Sequence, residues 1–145
     1  MKLIAHRGNF NGRIEEKENT LEHIHAAINA GYEVEVDIWK IGSELFFGHD
    51  APEHKVSNYD VMRIRDFSWY HAKNYEALEF LLNEKAHVFF HDKDEYTITS
   101  NGVIWAYSGK HVGKNAVAVM PEYTPRFIVP LDCYGVCTDD FSKIW

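Results

Sequence analysis

The chain has 145 residues, 46% hydrophobic and 26% charged, which fits one cored domain and excludes a disordered or fibrous chain. Its formal net charge of −7, from 15 Lys and Arg against 22 Asp and Glu, argues against a general nucleic-acid binder, whose affinity comes from neutralising phosphates. A small phosphorylated ligand held by one or two local cations remains compatible with that balance. An ordinary (β/α)8 barrel needs roughly 250 residues, so length alone points to a smaller α/β sandwich or α+β domain.

In chain order, Lys2–His6 reads as a strand. From Asn19 to Ala30, Leu21, Ile24, Ala27 and Ile28 recur at helical spacing until Gly31 stops them. Tyr32–Ile38 alternates Glu33, Glu35 and Asp37 with Val34, Val36 and Ile38, and a turn at Ile41–Ser43 precedes a strand at Leu45–His49. A short helical patch follows at Tyr59–Ile64, then a strand at Trp69–Lys73 and a helix at Tyr75–Leu82. His87–His91, Val103–Tyr107, Ala116–Met120 and Tyr134–Thr138 bring the strand candidates to eight. The connection from the second to the third is too short for a crossover helix, as are several later ones, which on first principles favours hairpins. The alternative is a barrel whose outer helices have been cut to turns.

No apolar run approaches the roughly 20 residues of a membrane span, so stable membrane insertion is not expected. Met1 leads straight into a strand rather than a signal peptide, which sets the expected location as cytoplasmic. Cys133 and Cys137 are spaced for a bridge or half a metal site, but no second ligand pair follows and two partly buried thiols are expected.

Ionisable residues gather at strand ends: His6, His49, His71 and His91 each close a strand candidate. Side chains at i and i+2 share a strand face, so Glu35 and Asp37 point the same way. Two inward carboxylates repel unless something cationic lies between them, and a hard divalent ion with oxygen ligands is one answer. A solvated sheet face is the plainer reading of an isolated E-x-D strand. In His6-Arg7-Gly8, Arg offers a planar fork for phosphate oxygens and His a proton carrier near neutral pH. Parity also places Trp69, His71 and Lys73 on one face, and Phe89 and His91 on another.

Taken in order, His6-Arg7-Gly8, Glu18-Asn19-Thr20, Glu35-Val36-Asp37 and His49-Asp50 fall within the first 50 residues. As a set this series resembles the glycerophosphodiester phosphodiesterase family, within the phospholipase-C-like phosphodiesterases. That family has H-R-G on the first strand, E-N-T at the first helix, E-x-D on the second strand and H-D after the third. Its fourth-strand E-x-K corresponds to His71-Ala72-Lys73 here, and its final G-I-x-T-D to Gly135-Val136-Cys137-Thr138-Asp139. The stretch from Ala51 to Tyr134 resembles the family only at such spots.

The resemblance implies roles. His6 and His49 would be the general acid and base, Glu35 and Asp37 would hold a divalent metal, and Arg7 and Lys73 would neutralise phosphate oxygens. Glu18 and Asn19 would support the loop after the first strand, touching the metal or Arg7. Mg2+ or Ca2+ follows from the family. The replacement of a Glu by His71, which would be the third ligand, makes Mn2+ or Zn2+ an alternative. His91 could add a ligand or proton carrier, and Trp105, Tyr107 and Glu122 could line the same mouth.

The resemblance implies a compact (β/α)8 TIM-type barrel over residues 1–145, with several outer helices shortened or missing, since eight units leave about 18 residues each. The implied activity is metal-dependent hydrolysis or cyclisation of a glycerophosphodiester-like or related small phosphodiester. The alternative is a weak or inactive phosphate- or metal-binding module, and a third reading, from the 14% aromatic content, is a protein–protein interaction role. No nucleic-acid partner is expected, and a homodimer could cover strand surfaces that missing helices leave bare.

Overall fold

A computed structural model describes residues 1–145. Its strands are β1 (Lys2–His6), β2 (Glu33–Ile41), β3 (Glu44–Phe47), β4 (His54–Val56), β5 (Ser68–Ala72), β6 (Val88–Phe89), β7 (Tyr96–Ile98), β8 (Ile104–Ala106), β9 (Ala116–Val119) and β10 (Gly135–Thr138). Its three helices are α1 (Leu21–Asn29), α2 (Asn58–Ile64) and α3 (Tyr75–Asn83). Each helix starts on a side chain that accepts a backbone N–H: Thr20 from His23, Ser57 from Asp60 in a reciprocal capping box, and Asn74 from Ala77. No helix is long and apolar enough to cross a membrane.

All ten strands join one mixed, curled sheet. Parallel pairings run in the order β6-β5-β2-β1-β10-β9-β8. The long strand β2 serves two ladders. Val34–Ile38 pairs in parallel with Ser68–Ala72, and Ile38–Ile41 turns back antiparallel on Glu44–Phe47. Strand β4 extends this hairpin, and β7 lies antiparallel on β8 at the other margin.

This architecture corrects the expected (β/α)8 TIM-type barrel. The candidate at Leu45–His49 is no barrel strand, because Gly42 and Ser43 leave room only for a tight reversal and it folds back on β2. Strands β6 and β8 form no ladder with each other, so the sheet stays an open half-barrel, although Phe89 and Trp105 meet across the gap with ring centroids 4.7 Å apart. All three helices belong to the first 83 residues, and after β6 the connections are loops, short 3-10 turns and the added strand β7. The short strands β4 and β7 had no counterpart among the eight candidates.

Sheet parity divides the core. Val34, Val36, Ile38, Tyr70 and Ala72 face outward and pack with Ile24 and Ala27 of α1, Val61 and Ile64 of α2, and Ala77 and Leu81 of α3. Inside the curl, Ile4, Trp69, Phe89, Trp105, Val117, Val119 and Cys137 fill the concave side. A third cluster, with Ala118, Val129, Cys133 and Val136, lies under loops rather than helices. The two thiols are free and belong to different clusters, so the spacing of Cys133 and Cys137 makes neither a bridge nor a metal site.

Gly48 fixes how the chain leaves β3. Its N–H donates to the Asp37 carbonyl (3.1 Å) and its carbonyl accepts Trp39 Nε1 (2.7 Å). At φ +153° a Cβ would lie 2.1 Å from the Ala51 carbonyl oxygen, so only glycine fits. Gly48→Ala is therefore expected to lower stability by about 1–3 kcal/mol, read by urea denaturation. An unchanged midpoint would mean that the turn carrying His49 is not held this way.

Candidate functional site

The parallel strands point their C-terminal ends at one opening, where side chains of unlike origin can converge. A pocket of about 250 Å3 lies there, and His6, Arg7, Glu35, Asp37, His49 and His71 all line it. Register explains most of this convergence. His6 pairs with Glu35 across β1 and β2, and Asp37 pairs with His71 across β2 and β5, so neighbouring strands deliver these residues to one level.

Glu35 and Asp37 are the centre of the arrangement, 3% and 0% exposed. Burial and the neighbouring Asp37 charge push the Glu35 carboxyl above its ordinary range. Burial acts upward on Asp37 as well, but contact with His71, the Arg7 charge and the Asn19 amide outweigh it and hold that carboxyl well below the ordinary range. Asn19 grips Asp37 twice: its Nδ2 donates to Asp37 Oδ2 (2.9 Å), and its Oδ1 accepts the Asp37 N–H (3.0 Å). Arg7 Nε lies 3.1 Å from Asp37 Oδ2, Nη1 donates to Glu18 (3.0 Å), and the Arg7 backbone N–H donates to Glu35 Oε2 (3.3 Å). Glu18 also accepts from Arg13 and Asn9. The supporting roles expected of Glu18 and Asn19 thus have concrete partners.

Two of these residues hold left-handed backbones, Arg7 at φ +53° and Asn19 at φ +59°. Such conformations cost energy in residues with a Cβ and persist where surrounding contacts fix them. Gly8 allows the turn to close on α1, since a Cβ there would lie 3.0 Å from the His23 ring.

Glu35, Asp37 and His71 each offer a donor atom within 4.8 Å of the others. His71 Nε2 donates to the His91 carbonyl (3.3 Å), which turns Nδ1 toward Asp37 Oδ1 (3.0 Å) and Glu35 Oε1 (3.9 Å). Nδ1 lies off the axis of a good hydrogen bond to Asp37, and that buried carboxylate oxygen accepts none. With Nδ1 free of its proton, these three atoms form a donor set that could hold one cation. A divalent metal fits the donor set, and the His91 carbonyl fixes His71 in the tautomer a ligand needs.

His6 lies beside this cluster. Its Nδ1 donates to Asp139 Oδ1 (2.8 Å), leaving Nε2 toward the pocket, 3.9 Å from Glu35. Burial works against protonation, but the Asp139 hydrogen bond and Glu35 raise the His6 pKa overall. Asp139 is lowered in turn, since His6, Asn9 and Tyr123 offset its burial. Asn9 is itself fixed by His23 Nε2, which donates to its Oδ1 (2.9 Å). His49 is more open, 41% exposed, and donates from Nδ1 to Asp50 (2.7 Å). Burial and the cations Arg7 and Lys73 lower its pKa against the pull of Asp37 and Asp50.

The remaining candidates divide. Trp105, Tyr107 and His91 line the pocket, whereas Lys73 lies outside the lining. His91 is not in the ligand cluster. It packs on Tyr107 at a centroid distance of 4.0 Å, and desolvation pushes its pKa down to about 4. Glu122 does not line the mouth either, because its Oε1 accepts from Thr138 Oγ1 (2.6 Å) and the Asp139 N–H (3.0 Å), bracing the end of β10. Sequence reasoning missed Asp139 and Asn9. The motif ending in Thr138-Asp139 was visible, but its partnership with His6 spans 133 residues and only the β1–β10 pairing reveals it.

The chain matches no family model, no curated protein and no solved structure. What the site can do therefore has to be argued from its own geometry.

The pH dependence of the metal-free protein follows by sign. Asp37 and Asp139, held low in the fold, contribute stability above the ordinary carboxyl pKa that is lost as pH falls through their folded values. Glu35, held high, has the opposite sign: its ionised form costs stability at neutral pH, and acid relieves the cost. Glu35→Gln is thus expected to stabilise the protein in EDTA at pH 7, by on the order of 1 kcal/mol, as measured by urea denaturation. Equal or lower stability of the variant would mean that the Glu35 charge is already compensated without a metal.

Proposed function

We propose that the protein is a metal-dependent phosphodiesterase acting on a small phosphodiester, glycerophosphodiester-like or related, with His6 and His49 exchanging protons. The observation that carries this reading is the convergence in one pocket of the Glu35/Asp37/His71 donor set, Arg7 and two histidines each oriented by its own carboxylate. A divalent ion held by Glu35, Asp37 and His71 would supply Lewis-acid neutralisation of the phosphate charge.

The protein groups divide the proton work. With Nδ1–H bound to Asp50, His49 presents a free Nε2, and its lowered pKa keeps that nitrogen unprotonated and fit to accept a proton. His6 carries the raised pKa, and Asp139 stabilises its protonated form, so its Nε2 is fit to donate. Groups pushed apart in this way mark acid and base. In hydrolysis, water gives its proton to His49 as its oxygen bonds phosphorus, while the departing ester oxygen takes a proton from His6. In cyclisation a neighbouring substrate hydroxyl replaces the water. Arg7, fixed by Glu18, adds positive charge at the wall.

A second reading, a phosphate- or metal-binding module without turnover, draws on one observation. Arg7 is engaged with Glu18 and Asp37 and Lys73 lies outside the lining, so neither is a free phosphate clamp for turnover, and the Glu35/Asp37/His71 donor set would carry the module's binding. Both readings go with a small ligand, a cytoplasmic setting and no nucleic-acid partner.

Turnover of bis(p-nitrophenyl) phosphate with Mg2+, Ca2+, Mn2+ or Zn2+ separates the two. The enzyme reading predicts metal-dependent release of p-nitrophenol, abolished by EDTA, with kcat reduced about 10²–10⁴-fold in His6→Ala and in His49→Ala. Turnover that survives EDTA and both substitutions unchanged would contradict it, and metal binding without turnover would favour the module.

A further inference from the structure

The pocket has two unlike walls, and they come from different halves of the chain. The charged wall is built from β1, β2, β5 and the turn after β3. Adjoining it are Phe89, stacked on His71 with ring centroids 5.0 Å apart, and Trp105, Tyr107, Val119 and Met120, from β6, β8, β9 and the residues that follow them. Despite the six ionisable residues beside it, this second wall is almost wholly apolar or aromatic.

Its few polar groups are already engaged or uncharged. Ser108 Oγ donates to the Met120 carbonyl (2.8 Å) and lies 2.7 Å from Thr124 Oγ1 in a shared hydrogen bond. The His91 ring packs tilted on Tyr107, centroids 4.0 Å apart, with its Nδ1 buried. The Tyr107 hydroxyl and the His91 Nε2, at one end of this wall, are the groups left to receive a polar substituent, and Phe89, Trp105, Val119 and Met120 offer none. A glyceryl group laid against Phe89, Val119 and Met120 would give up water at its hydroxyls with no replacement partner on those side chains. An apolar group would lose nothing comparable and would bury its surface against the rings. At about 250 Å3 the pocket falls just below the usual range of roughly 300–1,000 Å3 for small-molecule sites, so the group must be compact.

We propose that the ligand of this site is a small phosphodiester bearing a compact apolar or aryl substituent that lies against Phe89, Trp105, Val119 and Met120. The proposal rests on the phosphodiesterase reading for the phosphate end of the ligand. It makes the apolar wall, rather than the charged one, the determinant of substrate choice. Met120, only partly buried beside the concave core that Phe89, Trp105 and Val119 fill, is the first specificity position to test, and Val119 is the second because Thr nearly matches its shape.

The test compares two non-hydrolysable ligands that differ only in the substituent, the monomethyl esters of benzylphosphonic acid and of 2,3-dihydroxypropylphosphonic acid. Calorimetry on the Mn2+-loaded protein reads binding directly, and competitive inhibition of bis(p-nitrophenyl) phosphate turnover reads it at the working site. The benzyl ligand is expected to bind at least about tenfold tighter. Val119→Thr and Met120→Gln, checked for an unchanged melting temperature, should each shrink that preference while leaving the dihydroxypropyl ligand little affected. Equal or tighter binding of the dihydroxypropyl ligand overturns the proposal, as does a benzyl preference that both folded variants retain in full. Absence of turnover with the benzyl preference intact overturns the phosphodiesterase reading alone. Failure of both ligands to bind overturns both.

Discussion

Two carboxylates turned inward from adjacent positions on one face of β2 set the terms for everything around them. Glu35 and Asp37 are taken out of water by the sheet they belong to, and each raises the cost of ionising the other. The fold supplies part of the compensation. Arg7 is bent into a left-handed turn at the end of β1 to reach Asp37, and Asn19 is bent likewise to hold the same carboxylate by two hydrogen bonds. Glu18 holds Arg7, and Asn9 ties Glu18 to Asp139 and so to His6. Glu35, Asp37 and Glu18 gather around Arg7, and Arg13 reaches only Glu18. The deficit of positive charge is greatest where Asp37 Oδ1, Glu35 Oε1 and His71 Nδ1 face one another.

The half-barrel divides this work along the chain. The first half carries the three helices, and their packing against the outer face of β2 and β5 leaves the inner face free for ionisable groups. The second half has loops where helices would be, and its short strands contribute aromatic and aliphatic side chains to the concave side. A rigid charged wall and an apolar wall thus meet at the strand ends. His71 stacked on Phe89 joins the two walls, and the contact of Phe89 with Trp105 bridges the gap where the sheet itself does not close.

Much of the site was legible because strand parity is a local property. The alternation over Glu33–Ile38 places Glu35 and Asp37 on one face whether the sheet is parallel, antiparallel, open or closed, but by itself it favours a solvated face, and it is the curl of the sheet that buries both beside His71. Strand β1 and the helices starting near Asn19, Tyr59 and Tyr75 were equally visible through spacing and capping residues. The closed barrel was the error, and its source is identifiable. The family-like order of motifs made Leu45–His49 count as a parallel strand, although the Gly42-Ser43 reversal before it permits only a hairpin. The roles of Asp139, Asn9 and Glu122 were not legible, because each depends on pairings between distant parts of the chain that local pattern does not encode.

The central claim is that the Glu35, Asp37 and His71 cluster is completed by a divalent metal rather than by a proton. A crystal soaked with Mn2+ and examined by anomalous scattering tests this directly. The account predicts a peak bonded at roughly 2.0–2.6 Å to a Glu35 oxygen, Asp37 Oδ1 and His71 Nδ1. No peak at that position, with His71 Nδ1 closing a direct hydrogen bond to Asp37, would contradict it.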